Sequence, residues 1–497
     1  MKLKKTMNTP RPNPHKKNTL RAKYLLCAFV FTIWSPTTFA LNEIQLPSLG
    51  GGTGGGIISP AQERELGQRW QRAYRSQIPT STDPFLQNYI ENLVQKLSIY
   101  SDLEDKRVDV LVIENPTLNA FAVPGGVMGV HTGLLNYAKN EEQFSSVIAH
   151  ELAHLSQHHY ARQLSEQRDN NIPNMAALLG SILLAVTAGG DAGIAAIATT
   201  QAVLLDQQLR FSRELEQEAD RVGMKTMVRA NYDPYSMPEM FEEMLYASRF
   251  SRRPPEFLLT HPLTESRVSD SKQRAQQYPR KPPVSSLEYQ LLKARIRLLH
   301  ESNTVFTLKY FTEQLAREPE TDIINRYGLA ITQLKMHNAA EAKKILSPLL
   351  ERYKNNLFFI IAMAEIETEL GDTKHAIARL QTSLDQYKDN HPLNIKMAEI
   401  LMRDGQYDKA EILLDAHSKR RPKDDYVWYL LAEIHGLAGN ILQVHIARTE
   451  YFMLNGLFDK AENQIRNGLT LAKGDARSTR KLEQRLKEVR RMRRETL

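Results

Sequence analysis

The 497-residue sequence predicts an α+β domain followed by an all-α repeat solenoid. Three observations carry that reading. The stretches "VDVLVIEN" and "LNAFAVPGGVMGVHTGLL" are β-rich and alternate, as short strands do. From Glu141 the apolar spacing turns helical, and two histidines four residues apart sit inside it. From about residue 320 to 470, small residues recur at a fixed interval.

The first forty residues read as an export signal. Eight basic residues and no acidic one precede the apolar run "YLLCAFVFTIW", and "SPTTFA" ends on Ala40. The run is too short to span a bilayer comfortably. An uncleaved anchor is the alternative. The whole chain has 65 basic and 57 acidic residues. All of the excess lies in the signal, so the exported chain is formally neutral and offers no case for nucleic-acid binding. Cys27 is the single cysteine, and Leu26 before it suits a lipoprotein cleavage site poorly. A thiol-free exported chain of this size has core enough without disulfides.

"LPSLGGGTGGG" then reads as a flexible linker, here 41–60. The α+β domain is expected over 61–280. Its strands are "VDVLVIEN" and the two halves of "LNAFAVPGGVMGVHTGLL", which turn at Pro124-Gly125-Gly126. In the helix beginning at Glu141, Phe144, Ile148, Leu152 and Leu155 share one face, while His150 and His154 share another. The apolar stretch 174–205 is broken at Gly189, Gly190 and Asp191. Neither half is long enough to span, so it reads as a helical hairpin, packed on the domain or in peripheral contact with a membrane.

The repeat region is expected over 281–472. Ala330, Ala364, Ala398 and Ala432 stand 34 residues apart, as do Gly371, Gly405 and Gly439, and Ala342, Ala376 and Ala410. Small side chains at that period let paired helices cross closely, which is the tetratricopeptide signature. "NGLFDKAENQI" extends the array. The basic end, 473–497, reads as a solvated terminal helix.

The chemistry centres on "HELAH". His150 and His154, one helical turn apart, can present two nitrogens to one Zn²⁺, with Glu151 beside it to take a proton from water. A third ligand is needed. "SRELEQEADRVG" offers Glu216, with Asp220 one turn on to accept the outer N–H of a ligand histidine. Glu214 and Glu218 are rival carboxylates on another face, expected to meet water.

"HELAH", "ELEQEAD", "LNAFAVPGG" and "LLTHPLTESR" together resemble the HtpX-type gluzincin peptidases. The fold so implied is an α+β zincin-like (gluzincin) metallopeptidase domain followed by an all-α tetratricopeptide repeat solenoid. The export signal and the repeats make the chain similar to periplasmic members of that family. The resemblance implies a zinc endopeptidase, one Zn²⁺ per subunit, that also acts as a chaperone in quality control of outer-membrane β-barrel proteins. Its implied partners are unfolded or misassembled barrel proteins and the barrel-assembly machinery. By motif, His150, His154 and Glu216 correspond to the metal ligands and Glu151 to the catalytic acid/base. The resemblance also points to His261 in "THP", either as a fourth ligand that keeps the enzyme latent or as a donor to the transition-state oxyanion. The plain alternative is a loop histidine before Pro262.

An extended substrate needs a rail beside the metal. The strand through Asn119, Ala120, Phe121 and Ala122 can supply one if it lies at a sheet edge, because an unfolded chain adds there by backbone pairing. An interior strand is the alternative. His131 at the far end of the hairpin is expected at the surface, and His158 and His159 on the exposed tail of the helix. Two rival functions remain: an adaptor or chaperone whose metal is structural, against which the intact Glu151 argues, and a cell-wall hydrolase, against which the protein-binding repeats argue.

Overall fold

The computed structural model describes residues 60–160, 162, 212–250, 255–282, 286–317 and 322–496. The signal at 1–40, nearly all of the linker and the apolar stretch 174–205 lie outside the described residues. Among the described residues no helix is long and apolar enough to cross a membrane.

Two helices come first, α1 (Pro60–Arg75) and α2 (Pro84–Tyr100). Asp83 caps α2, accepting from the Phe85 and Leu86 amides at 2.9 and 3.3 Å, with Pro84 pre-set for the first turn. Three strands follow, β1 (Asp109–Ile113), β2 (Ala120–Val123) and β3 (Val127–His131). The predicted hairpin is β2–β3. The sheet order is β1-β3-β2, with β1 parallel and β2 antiparallel to β3, so β2 lies at an edge. The opposite edge is partly covered, since Thr80 bridges to Ile113 on β1.

The short α3 (Gly133–Tyr137) leads to α4 (Glu141–Ser156), the helix of the H-E-x-x-H motif. Asn140 caps it by accepting from the Gln143 amide at 2.8 Å. Every residue from Glu142 to Leu155 is buried. The apolar face packs into the core, and the polar face must therefore find partners inside the protein. Those come from α5 (Arg213–Arg229), α6 (Ser236–Phe250), α7 (Glu256–Thr260) and α8 (Glu265–Ala275).

Next come α9 (Leu287–His300) and α10 (Thr304–Arg317), both packed chiefly on α11, and then helices stacked in pairs: α11 (Asp322–Lys335) with α12 (Ala339–Arg352), α13 (Leu357–Glu369) with α14 (Thr373–Gln386), α15 (His391–Arg403) with α16 (Tyr407–Arg420), and α17 (Asp425–Leu437) with α18 (Ile441–Leu454). Then come α19 (Phe458–Leu471) and α20 (Ala476–Thr496). The alanines at the 34-residue interval are buried where the paired helices meet. Gly371, Gly405 and Gly439 end α13, α15 and α17 with φ of +82°, +76° and +79°, the left-handed stop that glycine favours. A further series has the same interval: Asn356, Asn390 and Asp424 each cap the first helix of a pair through their side chains.

Several buried and half-buried contacts hold the solenoid to the first domain. Asp83, besides capping α2, takes Arg295 of α9 at 2.6 and 3.0 Å, and Arg295 also donates to the Tyr327 hydroxyl of α11 at 3.1 Å. Further along, Arg421 meets Glu91 of α2 at 2.7 Å, and Lys423 meets Asp109 of β1 at 2.7 Å. The array thus curls back onto the first domain.

The basic end departs from the solvated helix expected of it. Leu482 and Val489 on α20 are buried in a small core with Ile446, Phe458, Ala461 and Ile465. Arg485 pairs with Glu450, and Arg490 and Arg493 with Glu462. Arg69 of α1 also donates to the Glu495 carbonyl at 3.1 Å. Part of the charge of α20 thus pairs with acidic residues beneath it.

Candidate metal centre

The helical spacing of α4 brings His150 and His154 together, with Nε2 atoms 3.0 Å apart. Glu216 enters from α5, its carboxylate 3.4 Å from His150 Nε2 and 3.3 Å from His154 Nε2. His261, at the end of α7, completes the group with Nδ1 2.9 Å from Glu216 Oε1. One donor atom from each of the four residues lies within 4.8 Å of the others, and all four residues are buried. A tetrahedral Zn²⁺ with bonds of about 2.0–2.2 Å needs two imidazoles and a carboxylate converging at this spacing, and this donor set fits it.

Asp220 lies 3.0 Å from His150 Nδ1, the ring nitrogen that faces away from the cluster. Burial opposes charge on His150, but Asp220 and Glu216 outweigh it and raise the pKa to about 9. Burial also opposes the Glu216 charge, and His261, Arg267, His150 and His154 overcome it, so the carboxylate stays ionised. For His154 burial wins over Glu216, and its pKa falls well below the usual value.

Glu151 is 1% exposed, and neither carboxylate oxygen has a hydrogen-bond partner among the described residues. The His261 ring lies beside it, Nε2 to Oε1 at 3.5 Å. Burial raises the carboxyl pKa. His261 and His150 oppose that, and the Ala122 backbone amide, which also favours the ionised form, does so more weakly. A buried carboxyl so placed is poised to exchange a proton beside the donor cluster.

The strand through Asn119–Ala122 runs along this site. The Asn119 carbonyl accepts from the His131 amide at 3.1 Å, so by antiparallel alternation Asn119 and Phe121 face β3. The backbone groups of Ala120 and Ala122 then face the other edge, along which no further strand pairs among the described residues, and the Ala122 amide lies toward Glu151. Just upstream, the Leu118 carbonyl accepts from the Phe257 amide of α7 at 3.3 Å, which closes that end. The Phe121 ring packs on Trp70 and Tyr74, and the Asn119 side chain donates to Glu256 at 3.2 Å.

Two expectations about histidines fail. His131 is fully buried, held by the Thr117 hydroxyl at 2.9 Å, because Glu256 and α7 cover the end of β3. Burial lowers its pKa to about 4. His159 is also fully buried, with Nδ1 2.9 Å from His154 Nδ1. Only His158 is exposed, as expected. Of the rival carboxylates, Glu214 is exposed, while Glu218 is half-buried against His159 and Arg162. Sequence reasoning missed Arg267. It is 2% exposed, forks onto Asp220 and lies 2.7 Å from Glu216. Its only signal was its place at the end of "LLTHPLTESR".

Two histidines and a glutamate closing on one point beside an unbonded buried glutamate define a metallopeptidase, carried here on a mostly helical domain with a small sheet. Comparison with known proteins agrees. The Peptidase family M48 model matches residues 84–275, and a tetratricopeptide repeat model matches 367–434. A "Beta-barrel assembly-enhancing protease" of Escherichia coli is 33% identical over 465 residues, covering 91% of this chain and 95% of that one. A "Putative beta-barrel assembly-enhancing protease" of Vibrio cholerae is 32% identical, covering 88% and 90%. The mitochondrial metalloendopeptidase OMA1 of Schizosaccharomyces pombe is 30% identical over 180 residues, covering 36% of this chain and 50% of that one. The chain belongs to peptidase family M48, among the repeat-bearing β-barrel assembly-enhancing proteases.

Proposed function

We propose that this chain is a zinc endopeptidase of the periplasm, with one Zn²⁺ per subunit, that also acts as a chaperone in quality control of outer-membrane β-barrel proteins. His150, His154 and Glu216 hold the metal. Bound zinc supplies Lewis acidity toward water and the scissile carbonyl. Glu151 takes the proton from the attacking water and passes it to the leaving amine. Asp220 orients His150, and the free edge of β2 holds the substrate extended across the site. Unassembled barrel strands have unpaired edges and suit such a rail. The repeats offer a surface for clients and for the barrel-assembly machinery. The names of the relatives support the client class.

The observation that carries the enzymatic reading is the Glu151 carboxyl, buried beside four clustered donors with no side chain bonded to it among the described residues. A purely structural metal has no use for it. The test is casein digestion by wild type and Glu151→Gln, with and without chelator, and with bound zinc measured. The variant should keep its zinc and lose hydrolysis; appreciable cleavage by it would sink the assignment.

A latent enzyme acting mainly as an adaptor is the second reading, favoured by the place of His261 in the donor group. With His261 on the fourth position, no site is left for water. His261→Ala should then raise proteolysis, and a loss of proteolysis would favour the oxyanion-donor role instead.

A further inference from the structure

The two ligand histidines are oriented by different chemistry. His150 has a carboxylate behind it, Asp220 at 3.0 Å. Behind His154 stands another imidazole, that of His159, with the two Nδ1 atoms 2.9 Å apart and the rings near perpendicular at 81°. His159 Nε2 in turn lies 3.5 Å from Glu218 Oε2, and Glu218 is anchored by Arg162 at 2.7 Å.

This contact needs a special backbone. On a continuing helix, residues five apart point about 140° away from each other. Here α4 stops at Gln157, whose amide still bonds to the Ala153 carbonyl. His158 then takes φ +50°, in the left-handed region, and the chain folds back under the last turn. A non-glycine residue there costs about 1 kcal/mol or more. The fold accepts that strain, and the return delivers His159 to His154.

We propose that His159 is a positioning residue: it accepts the Nδ1–H of His154 and so fixes that imidazole with Nε2 toward the metal, while Glu218 fixes His159. The assignment rests on the zinc-peptidase reading above. A metal ligand bound through Nε2 carries its proton on Nδ1, and that N–H must meet an acceptor if the ring is to hold one orientation. The proton pattern then follows along the chain of groups. His154 donates from Nδ1, His159 accepts at Nδ1 and donates from Nε2, and Glu218 accepts.

The experiment measures zinc affinity by competition with a chromophoric chelator, and the melting temperature of each metal-free protein. His159→Phe keeps the volume and removes the acceptor, so zinc affinity should fall about 10- to 100-fold with little change in metal-free melting. His159→Gln presents an amide oxygen to His154 and an amide N–H to Glu218, and should restore most of the affinity. In zinc-loaded protein with labelled histidine, long-range ¹H–¹⁵N spectra should give His154 as the Nδ1–H tautomer and His159 as Nε2–H. Should His159→Phe fold poorly, the Gln variant and the tautomers decide. Wild-type affinity in His159→Phe, or a proton on His159 Nδ1, overturns the proposal. Failure of wild type itself to bind zinc removes the zinc reading first and this assignment with it, so the two failures are told apart.

Discussion

The Arg267 guanidinium forks onto the Asp220 carboxylate, Nη2 to Oδ1 at 2.7 Å and Nε to Oδ2 at 2.8 Å. Its third nitrogen donates to the Pro262 carbonyl at 2.9 Å and lies 2.7 Å from Glu216. One buried cation thus touches the carboxylate behind His150, the third proposed ligand, and the peptide that follows His261. It joins α5 to α8 and fixes the segment between α7 and α8. Arg267→Ala leaves two buried carboxylates short of a cation, which costs about 3–5 kcal/mol. Arg267→Lys keeps the charge but loses the fork, so it should melt higher than the alanine variant yet bind zinc more weakly than wild type. Thermal unfolding and zinc titration of both variants check this.

Helices α4 and α5 cross where Gly223 faces Ala149. A Cβ on Gly223 would lie 3.1 Å from the Ala149 carbonyl group and from the His150 amide nitrogen. These are backbone atoms and cannot swing aside. Asp220 and Glu216 lie on the same side of α5 as Gly223, one and two turns away. Gly223→Leu should therefore wedge the helices apart, withdraw Glu216 from the histidines and lower zinc affinity by at least tenfold. Wild-type affinity in that variant would show that the crossing does not set the site.

Much of this was legible in the sequence because it is local. His150 and His154 on one face, Glu216 with Asp220, and the alanine and glycine series all follow from helical spacing. What stayed hidden depends on departures from that spacing or on distant partners. His159 is five residues past His154, and only the left-handed turn at His158 brings it back. Arg267 has no signal in α8 alone, since both carboxylates it serves lie some fifty residues earlier. The basic face of α20 reads as solvated until Glu450 and Glu462 are seen beneath it. His131 ends a strand that looks exposed until α7 covers it.

The free edge of β2 separates a substrate rail from an ordinary strand. Ala120 and Ala122 present their amides to that edge, but the Ala122 amide also acts on Glu151, so proline at Ala120 removes an edge donor without touching Glu151 and leaves the β3 ladder bonds intact. We expect kcat/KM on an unfolded protein to fall at least tenfold in Ala120→Pro, with zinc content and melting close to wild type. Phe121→Pro is the contrast. It removes a ladder bond to Gly129 and should destabilise the fold. Normal cleavage in both Ala120→Pro and Ala122→Pro would count against substrate pairing at this strand.

Acid stability should depend on a histidine pair far from the metal centre. His391 Nδ1 and His417 Nε2 are 3.0 Å apart and buried between α15 and α16. Burial, reinforced by Arg421, lowers His417 to about 4 and His391 to about 2. Arg420, Asp389, Asp424 and Asp83 are the other charges that face them. Both folded-state values lie below the unfolded value of about 6.5. Above that pH both states are neutral and the contribution to stability is complete. As pH falls from about 6.5 toward 4, the unfolded chain takes up protons that the folded protein refuses, and stability is lost. His417→Gln removes one such group and keeps a side chain able to bond His391. Its stability should fall less steeply between pH 6.5 and 4, by at most about 1.4 kcal/mol per pH unit. Urea titrations across that range measure the slope, and equal slopes for the two proteins would show that the pair is not what acid attacks.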